Sequence, residues 1–265
     1  MTMRILPVQG VLGHALHSTK NNLRFAWHIS WPWLALLVPL HMLVEPMLPK
    51  IVPDAVDPAT VARNIQTMLG LIGLGLVSLL VFSSIAVAWH RYILNDEVPQ
   101  GTARLRLDAV VWRYFGNTLL IMVLVGLALV PVVLLASLAI AMFGLSENMA
   151  SIVVAVLAGV IALPLAYRMM IKLPAIAVGN PDINLKTAMQ KTAGNSFQLG
   201  MSALIIFCAA LLIGFAMSQI LDAIGANESG VTSIVVQQAV SWITTIFTVT
   251  FLTSLYGFFV EGREF

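Results

Sequence analysis

Charged side chains are scarce in this chain: 10% of its 265 residues are Asp, Glu, Lys or Arg, against about 25% in a soluble domain. That is too little polar surface to coat a water-borne globule. Cys208 is the single cysteine, which excludes a disulfide framework and a cysteine zinc module. Long charge runs are missing, so a solvated disordered tail is not expected. The sequence contains no Gly-rich phosphate loop, no nucleophile elbow and no HExxH pair. A net charge of +2 is too small for a nucleic-acid partner. No catalytic residue, metal or cofactor is expected on these grounds, and the chain reads as a non-enzyme.

What the sequence has in abundance is hydrocarbon, with 59% hydrophobic residues and a mean hydropathy of +0.94. Charge-free stretches run over 25–44, 64–90, 114–146, 148–167, 192–221 and 229–260. Each offers about the 20 residues that a helix needs to cross roughly 30 Å of hydrocarbon. Isolated strands would leave backbone groups unpaired in lipid, and the alternation of a barrel strand is missing. The expectation is an all-α polytopic membrane protein, a single domain over 1–265. Its six transmembrane helices should lie near 27–47, 68–90, 117–143, 149–170, 197–221 and 231–258, arranged as three hairpins with short amphipathic cytoplasmic helices.

Orientation follows from the basic residues, which favour the cytoplasmic side. Twelve of the fourteen fall on one face: Arg4, Lys20, Arg24, Arg91, Arg104, Arg106, Arg113, Arg168, Lys172, Lys186, Lys191 and Arg263. Lys50 and Arg63 remain for the other. Both termini are therefore expected in the cytoplasm of a bacterium, with the protein in its inner membrane. Trp27, Trp31, Trp33, Trp89 and Trp112 lie near the same boundary, as rings of an interfacial belt do, and Trp242 alone departs from it. Residues 1–24 read as mature protein and as a cytoplasmic surface helix, with Ile5, Val8, Leu12 and Ala15 or Leu16 at helical spacing.

The two longer basic-side connections look alike. Each leaves a span with an aromatic residue and an arginine, turns at a proline, runs along a short helix and re-enters at Gly-Asn. Arg91 and Asn117 bound one, Arg168 and Asn195 the other. With the N-terminal segment as a degenerate copy, three repeats of surface helix plus transmembrane hairpin are expected. Small residues every fourth position, Ala158, Ala162 and Ala166 in the fourth span and Ala210, Gly214 and Ser218 in the fifth, read as packing strips. Pro131 and Pro164 should bend their helices.

Two sets of side chains stand out as candidate sites. Arg91 and Arg168 occupy matching exits, Arg113 precedes the third span and Lys172 follows Arg168 by one turn, so these four are candidates for binding anionic phospholipid headgroups. In the sixth span Gln237, Ser241, Thr244 and Thr248 are spaced as one helical stripe, which reads as interhelical hydrogen bonding or as a polar pathway for a small transporter or channel. His41 with Glu45 suits an interfacial pair, and His14 with His17 lacks the further ligands a metal needs. His90 or Asp96-Glu97 would have to serve a membrane-embedded lipid-modifying enzyme, the third class.

The stretch LPAIAVGNPDINLKTAMQKTAGNSFQL, with SIAVAWHRYILNDEVP more loosely, resembles the membrane domain associated with glycerophosphodiester phosphodiesterases and related uncharacterised bacterial six-helix inner-membrane proteins. The match is clearest over 163–200. It implies a helical membrane module and carries no catalytic residues, because the soluble barrel that holds the phosphodiesterase chemistry has no counterpart in the sequence. Expected partners are membrane phospholipids, with a membrane protein or a second copy of the chain as further candidates.

Overall fold

The computed structural model describes residues 4–44, 47–52, 56–98, 106–143, 146–226 and 230–265. These residues form helices and connections, with no strand among them. In chain order the helices are α1 (Val8–Asn21), α2 (Leu23–Val44), α3 (Pro58–Asn95), α4 (Ala109–Phe143), α5 (Glu147–Met170), α6 (Lys172–Val178), α7 (Leu185–Lys191), α8 (Ser196–Ala223) and α9 (Val231–Tyr256). A π-helical turn at Gly257–Glu261 follows α9. Six helical segments are long and apolar enough to cross a membrane, one from each expected span. The fold is that of an all-α polytopic membrane protein.

Helix ends follow local chemistry. Asp57 starts α3 by accepting the Thr60 N–H at 2.9 Å, with Pro58 in the first turn, where its missing N–H costs nothing. Asp108 accepts from the N–H groups of Val110 (3.0 Å) and Val111 (3.1 Å). Burial pushes the Asp108 carboxyl up, but the Val111 N–H and the Arg106 guanidinium outweigh it and the net displacement is downward. Gly179, at φ 77°, closes α6, where the Asn180 N–H reaches back to the Ala175 carbonyl at 2.8 Å.

The same Gly-Asn dipeptide has two outcomes, which corrects the expected repeat. At Gly194 the backbone turns left-handed, φ 77°, and separates α7 from α8. At Gly116 it stays helical, and Asn117 donates to the Arg113 carbonyl one turn back at 2.7 Å. The short helix expected before the third span is thus the first part of α4, which reaches 35 residues or about 52 Å. That exceeds the thickness of a bilayer core.

Packing is concentrated at one end. One core joins Trp33 and Ile29 of α2, Ile85 and Trp89 of α3, Tyr114 of α4, Leu173 of α6 and Val249 of α9. A second joins Leu6, Val11 of α1, Ile171, Leu199 of α8, and Phe251, Leu255 and Tyr256 of α9. Both lie where the basic residues gather. Toward the other end burial fades: past Ile206 only Leu221 is buried in α8, past Ile121 only Ala136 in α4, and before Ile246 only Ser233 in α9. The helices are fused into two cores at the basic end, and buried side chains become sparse toward the opposite one.

The expected third hairpin is looser than the others. α8 packs mainly against α5, while α9 moves to the centre among α1, α2, α3, α6 and α8. The α5–α8 approach is close at Gly200, where an added Cβ would lie 3.0 Å from the Pro164 ring. The strip of Ala210, Gly214 and Ser218 does not make it, and a Cβ at Gly214 would meet nothing within 4 Å. Two belt tryptophans are also core residues: Trp89 is fully buried, and Trp33 is 5% exposed and donates its indole N–H to Ser84 Oγ at 3.0 Å. Trp27, Trp31 and Trp112 stay exposed. Trp242, outside the belt, packs edge-on against Trp27.

α1 does not present the face expected of a membrane-surface helix. Its buried stripe is Val11, Ala15 and Thr19, docked on α9 and α8, while Ile5 and Leu16 point outward. A polar clamp fixes the segment before it. Asn195 Oδ1 accepts the Leu6 N–H at 2.7 Å and Asn195 Nδ2 donates to the Arg4 carbonyl at 2.9 Å. The first and last described segments meet on this face, where Arg4 donates to the Arg263 carbonyl at 3.1 Å. Asn195→Ala should therefore leave a buried N–H at Leu6 and cost about 1–3 kcal/mol. Thermal unfolding in detergent together with proteolysis of residues 4–7 measures this, with cleavage at the N-terminus preceding global unfolding in the variant.

Candidate functional site

The matching arginines prove to have matching jobs inside the protein. Arg91, at the end of α3, bonds through Nε to Glu97 and through Nη1 to the Ala177 carbonyl in the last turn of α6, at 3.4 Å. Arg168, at the end of α5, donates to the Met189 carbonyl near the end of α7 at 2.7 Å, to Thr192 Oγ1 at 3.1 Å and to Ser196 Oγ at 3.4 Å. Each cation sits at the carbonyl end of a short helix, where free backbone oxygens and the helix dipole favour positive charge. Arg106 pairs with Asp108 and Glu97, and Arg263 with Glu261.

The remaining cations of this face are unspent. Lys20, Arg24, Arg113 and Lys186 are exposed, and Lys172 and Lys191 are half-buried. None of the six side chains has a hydrogen bond or ion pair among the described residues. Of the four headgroup candidates, Arg113 and Lys172 keep their donors available, whereas Arg91 and Arg168 are committed to the fold. Arg104 lies outside the described residues.

His90 is fully buried in α3 between two partners. Its Nδ1 lies 2.8 Å from Thr253 Oγ1 and its Nε2 3.2 Å from the Tyr114 hydroxyl. Thr253 gives its own proton to the Val249 carbonyl at 2.8 Å, so Nδ1–H must be the donor there and Nε2 accepts from Tyr114. Every valence of the ring is used, and the chain of bonds ties α3, α4 and α9 together. Of the adjacent acids, Asp96 turns the chain at φ 53° and Glu97 is paired with Arg91 and Arg106. His14 stacks on Phe265 and His17 bonds Asn21. Burial, with Arg263 and His17 nearby, pushes the His14 imidazolium down.

The stripe of α9 faces open space. Gln237, Ser241, Thr244 and Thr248 line a hollow of 420 Å³ bounded by Phe82 and by Ala210 of α8. Thr244 and Thr248 hydroxyls donate to carbonyls of their own helix, Val240 at 2.9 Å and Thr244 at 2.8 Å, as hydroxyls in membrane helices do. Among the described residues they bridge to no neighbouring helix. A second hollow of 540 Å³ lies on the other flank of α9, among α2, α3 and α4, and shares Phe82, Ser241 and Thr245 with the first. Its polar lining includes Gln238 and His41, which the single-stripe reading does not join. The signal was present, since Gln238, Ser241 and Thr245 are spaced 3 and 4 along the helix. Glu45 lies outside the described residues, and His41 Nδ1 is bonded to the Leu37 carbonyl at 2.9 Å.

No family model, curated protein or solved structure matches this chain. The chemistry therefore rests on its own side chains. Thr248→Val removes only a bond within its own helix and should cost less than about 0.6 kcal/mol, the average of bonds between membrane helices. Thr253→Val strands the buried Nδ1–H of His90 and should cost about 1–3 kcal/mol. Melting both variants in the same detergent checks the order, and an equal loss would mean that the His90 bond is worth no more than a hydroxyl bond within one helix.

Proposed function

We propose that the protein is a non-enzymatic membrane module of the bacterial inner membrane whose basic, cytoplasmic face holds anionic phospholipid and thereby presents the bundle to a membrane partner. The observation that carries this reading is the division among its cations. Those that the fold needs are bonded internally, and six others on the same face, Arg113 and Lys172 among them, are left over. A basic residue near an anionic leaflet contributes about 1 kcal/mol, so six together make a strong surface attraction. The fused end supplies a rigid base for them, since unmoving helix ends hold the charges at fixed spacing.

A transporter is less well supported, because the hollows beside α9 end at the packed basic half. Val81 and Ile85 close the larger one, at 3% and 5% exposure, with Trp89 and Tyr114 buried in the same core. A lipid-modifying enzyme would need His90 or Asp96-Glu97 to reach a substrate, and His90 and Glu97 are occupied by neighbours. Kinship with the membrane modules that accompany glycerophosphodiester phosphodiesterases belongs to this proposal. It rests on residues 163–200, which build the corner of α5, α6, α7 and the start of α8.

Native mass spectrometry after purification from bacterial membranes tests the reading. Wild type should retain cardiolipin or phosphatidylglycerol, and Arg113→Gln with Lys172→Gln should lose most of it without a change in melting temperature. Arg91→Gln should instead lower the melting temperature. Unchanged lipid in the Arg113/Lys172 variant would reduce the basic face to a topology signal.

A further inference from the structure

The larger hollow combines three properties that together define a ligand. Its 540 Å³ falls within the roughly 300–1,000 Å³ of small-molecule sites, and its mostly apolar lining with a few polar groups matches them as well. The polar groups converge from α9 and α2. Gln238, Ser241 and Thr245 have no side-chain hydrogen bond among the described residues, in contrast to Thr244 and Thr248. Trp242, also in the lining, has a buried indole N–H with no acceptor. His41 spends Nδ1 on Leu37, which leaves Nε2. At membrane depth such groups are costly unless something pairs with them.

Among the described residues the lining carries no Asp, Glu, Lys or Arg. An ionised headgroup would enter without a counter-charge, at a prohibitive cost in this environment. This lining suits an uncharged occupant that both donates and accepts, because it offers a carboxamide, the hydroxyls of Ser78, Ser241 and Thr245, an imidazole and an indole N–H. Ile72, Leu76 and Met122 line the hollow and are 54%, 41% and 55% exposed, and the hollow is open rather than enclosed. The space is thus continuous with the surrounding hydrocarbon, so an apolar tail can leave sideways.

We propose that this hollow binds an uncharged, hydroxyl-bearing lipid of the acylglycerol type. The glycerol hydroxyls pair with Gln238, Ser241 and Thr245, and the acyl chain lies along Leu76 and Met122 toward the bilayer. This goes beyond the role of the basic face and does not depend on it, since the two sites share no residue.

Three probes with one brominated chain and different heads test it in phosphatidylcholine nanodiscs: dibromostearoylglycerol, dibromostearate and dibromostearylamine. Bromine quenches nearby indoles, and Trp242 reports from the hollow. The neutral probe should quench part of the tryptophan fluorescence saturably, the two ionic probes should quench only in proportion to their mole fraction, and Trp242→Phe should remove the saturable part. Gln238→Leu with Thr245→Val should raise the half-saturating mole fraction about tenfold, the worth of two neutral hydrogen bonds. Thr244→Val, outside this lining, should leave it unchanged. Saturable quenching that is equal for all three heads, or absent for the neutral one because water or a second copy of the chain fills the space, overturns the proposal. If the double variant does not fold, the comparison of heads on wild type decides alone.

Discussion

A bilayer offers no water to backbone or side chain, so every polar group at depth must find its partner within the protein or from a ligand. The basic half of this bundle meets much of that requirement through long-range bonds, while the Thr19 and Ser30 hydroxyls, the Trp89 indole N–H and the Gln198 side-chain carbonyl are buried there without a partner among the described residues. His90 satisfies both ring nitrogens between α4 and α9, Asn195 ties down the chain before α1, and Asn180 donates to the Tyr256 hydroxyl at 2.9 Å. These bonds sit inside two apolar cores to which α9 contributes Val249 on one side and Phe251, Leu255 and Tyr256 on the other. Without that segment, neither core closes.

The opposite half meets it locally, where Asn64 bonds the Val52 backbone and Thr67 the Pro49 carbonyl, and leaves it open along α9. There α9 turns polar side chains toward hollows, and the flanking helices show lipid apolar faces such as Leu135 and Leu212, at 67% and 68% exposure. A rigid end with fixed charges and an open end with unpaired neutral polar groups suit different lipids: anionic headgroups at one, an uncharged amphiphile at the other. The separation follows from electrostatics, since the cations lie at the ends of the spans and no described cation lines the two hollows beside α9.

Much of the architecture was legible in the sequence. Six charge-free stretches announced six spans because charge is what a bilayer excludes, and the alignment of Arg91 with Arg168 was real. Their task was not legible, because the Ala177 and Met189 carbonyls they hold are brought to them by tertiary packing. The fate of Gly116-Asn117 and Gly194-Asn195 was equally hidden: one dipeptide continues a helix, and the other breaks it where Asn195 is needed for the clamp on Leu6. The stripe on α9 was visible from spacing alone. That it borders two hollows depends on where α2, α4 and α8 stand, and so the meeting of Gln238 and Thr245 with His41 was not legible, although His41 itself stood out. Trp33 and Trp89 misled for a related reason, since a tryptophan near an interface serves the core when a neighbouring helix covers it.

The central claim is that the helices are fused at the basic end and free to part at the other. Spin labels in a Cys208→Ala background test it by electron–electron distance measurement in nanodiscs. One pair belongs on α4 and α8 near the basic end, at Trp112 and Phe197, and one near the opposite end, at Leu138 and Ile220, all four exposed. The account predicts a narrow distance distribution for the first pair and a broader one for the second, because sparse packing permits motion. Equally narrow distributions at both ends would contradict it.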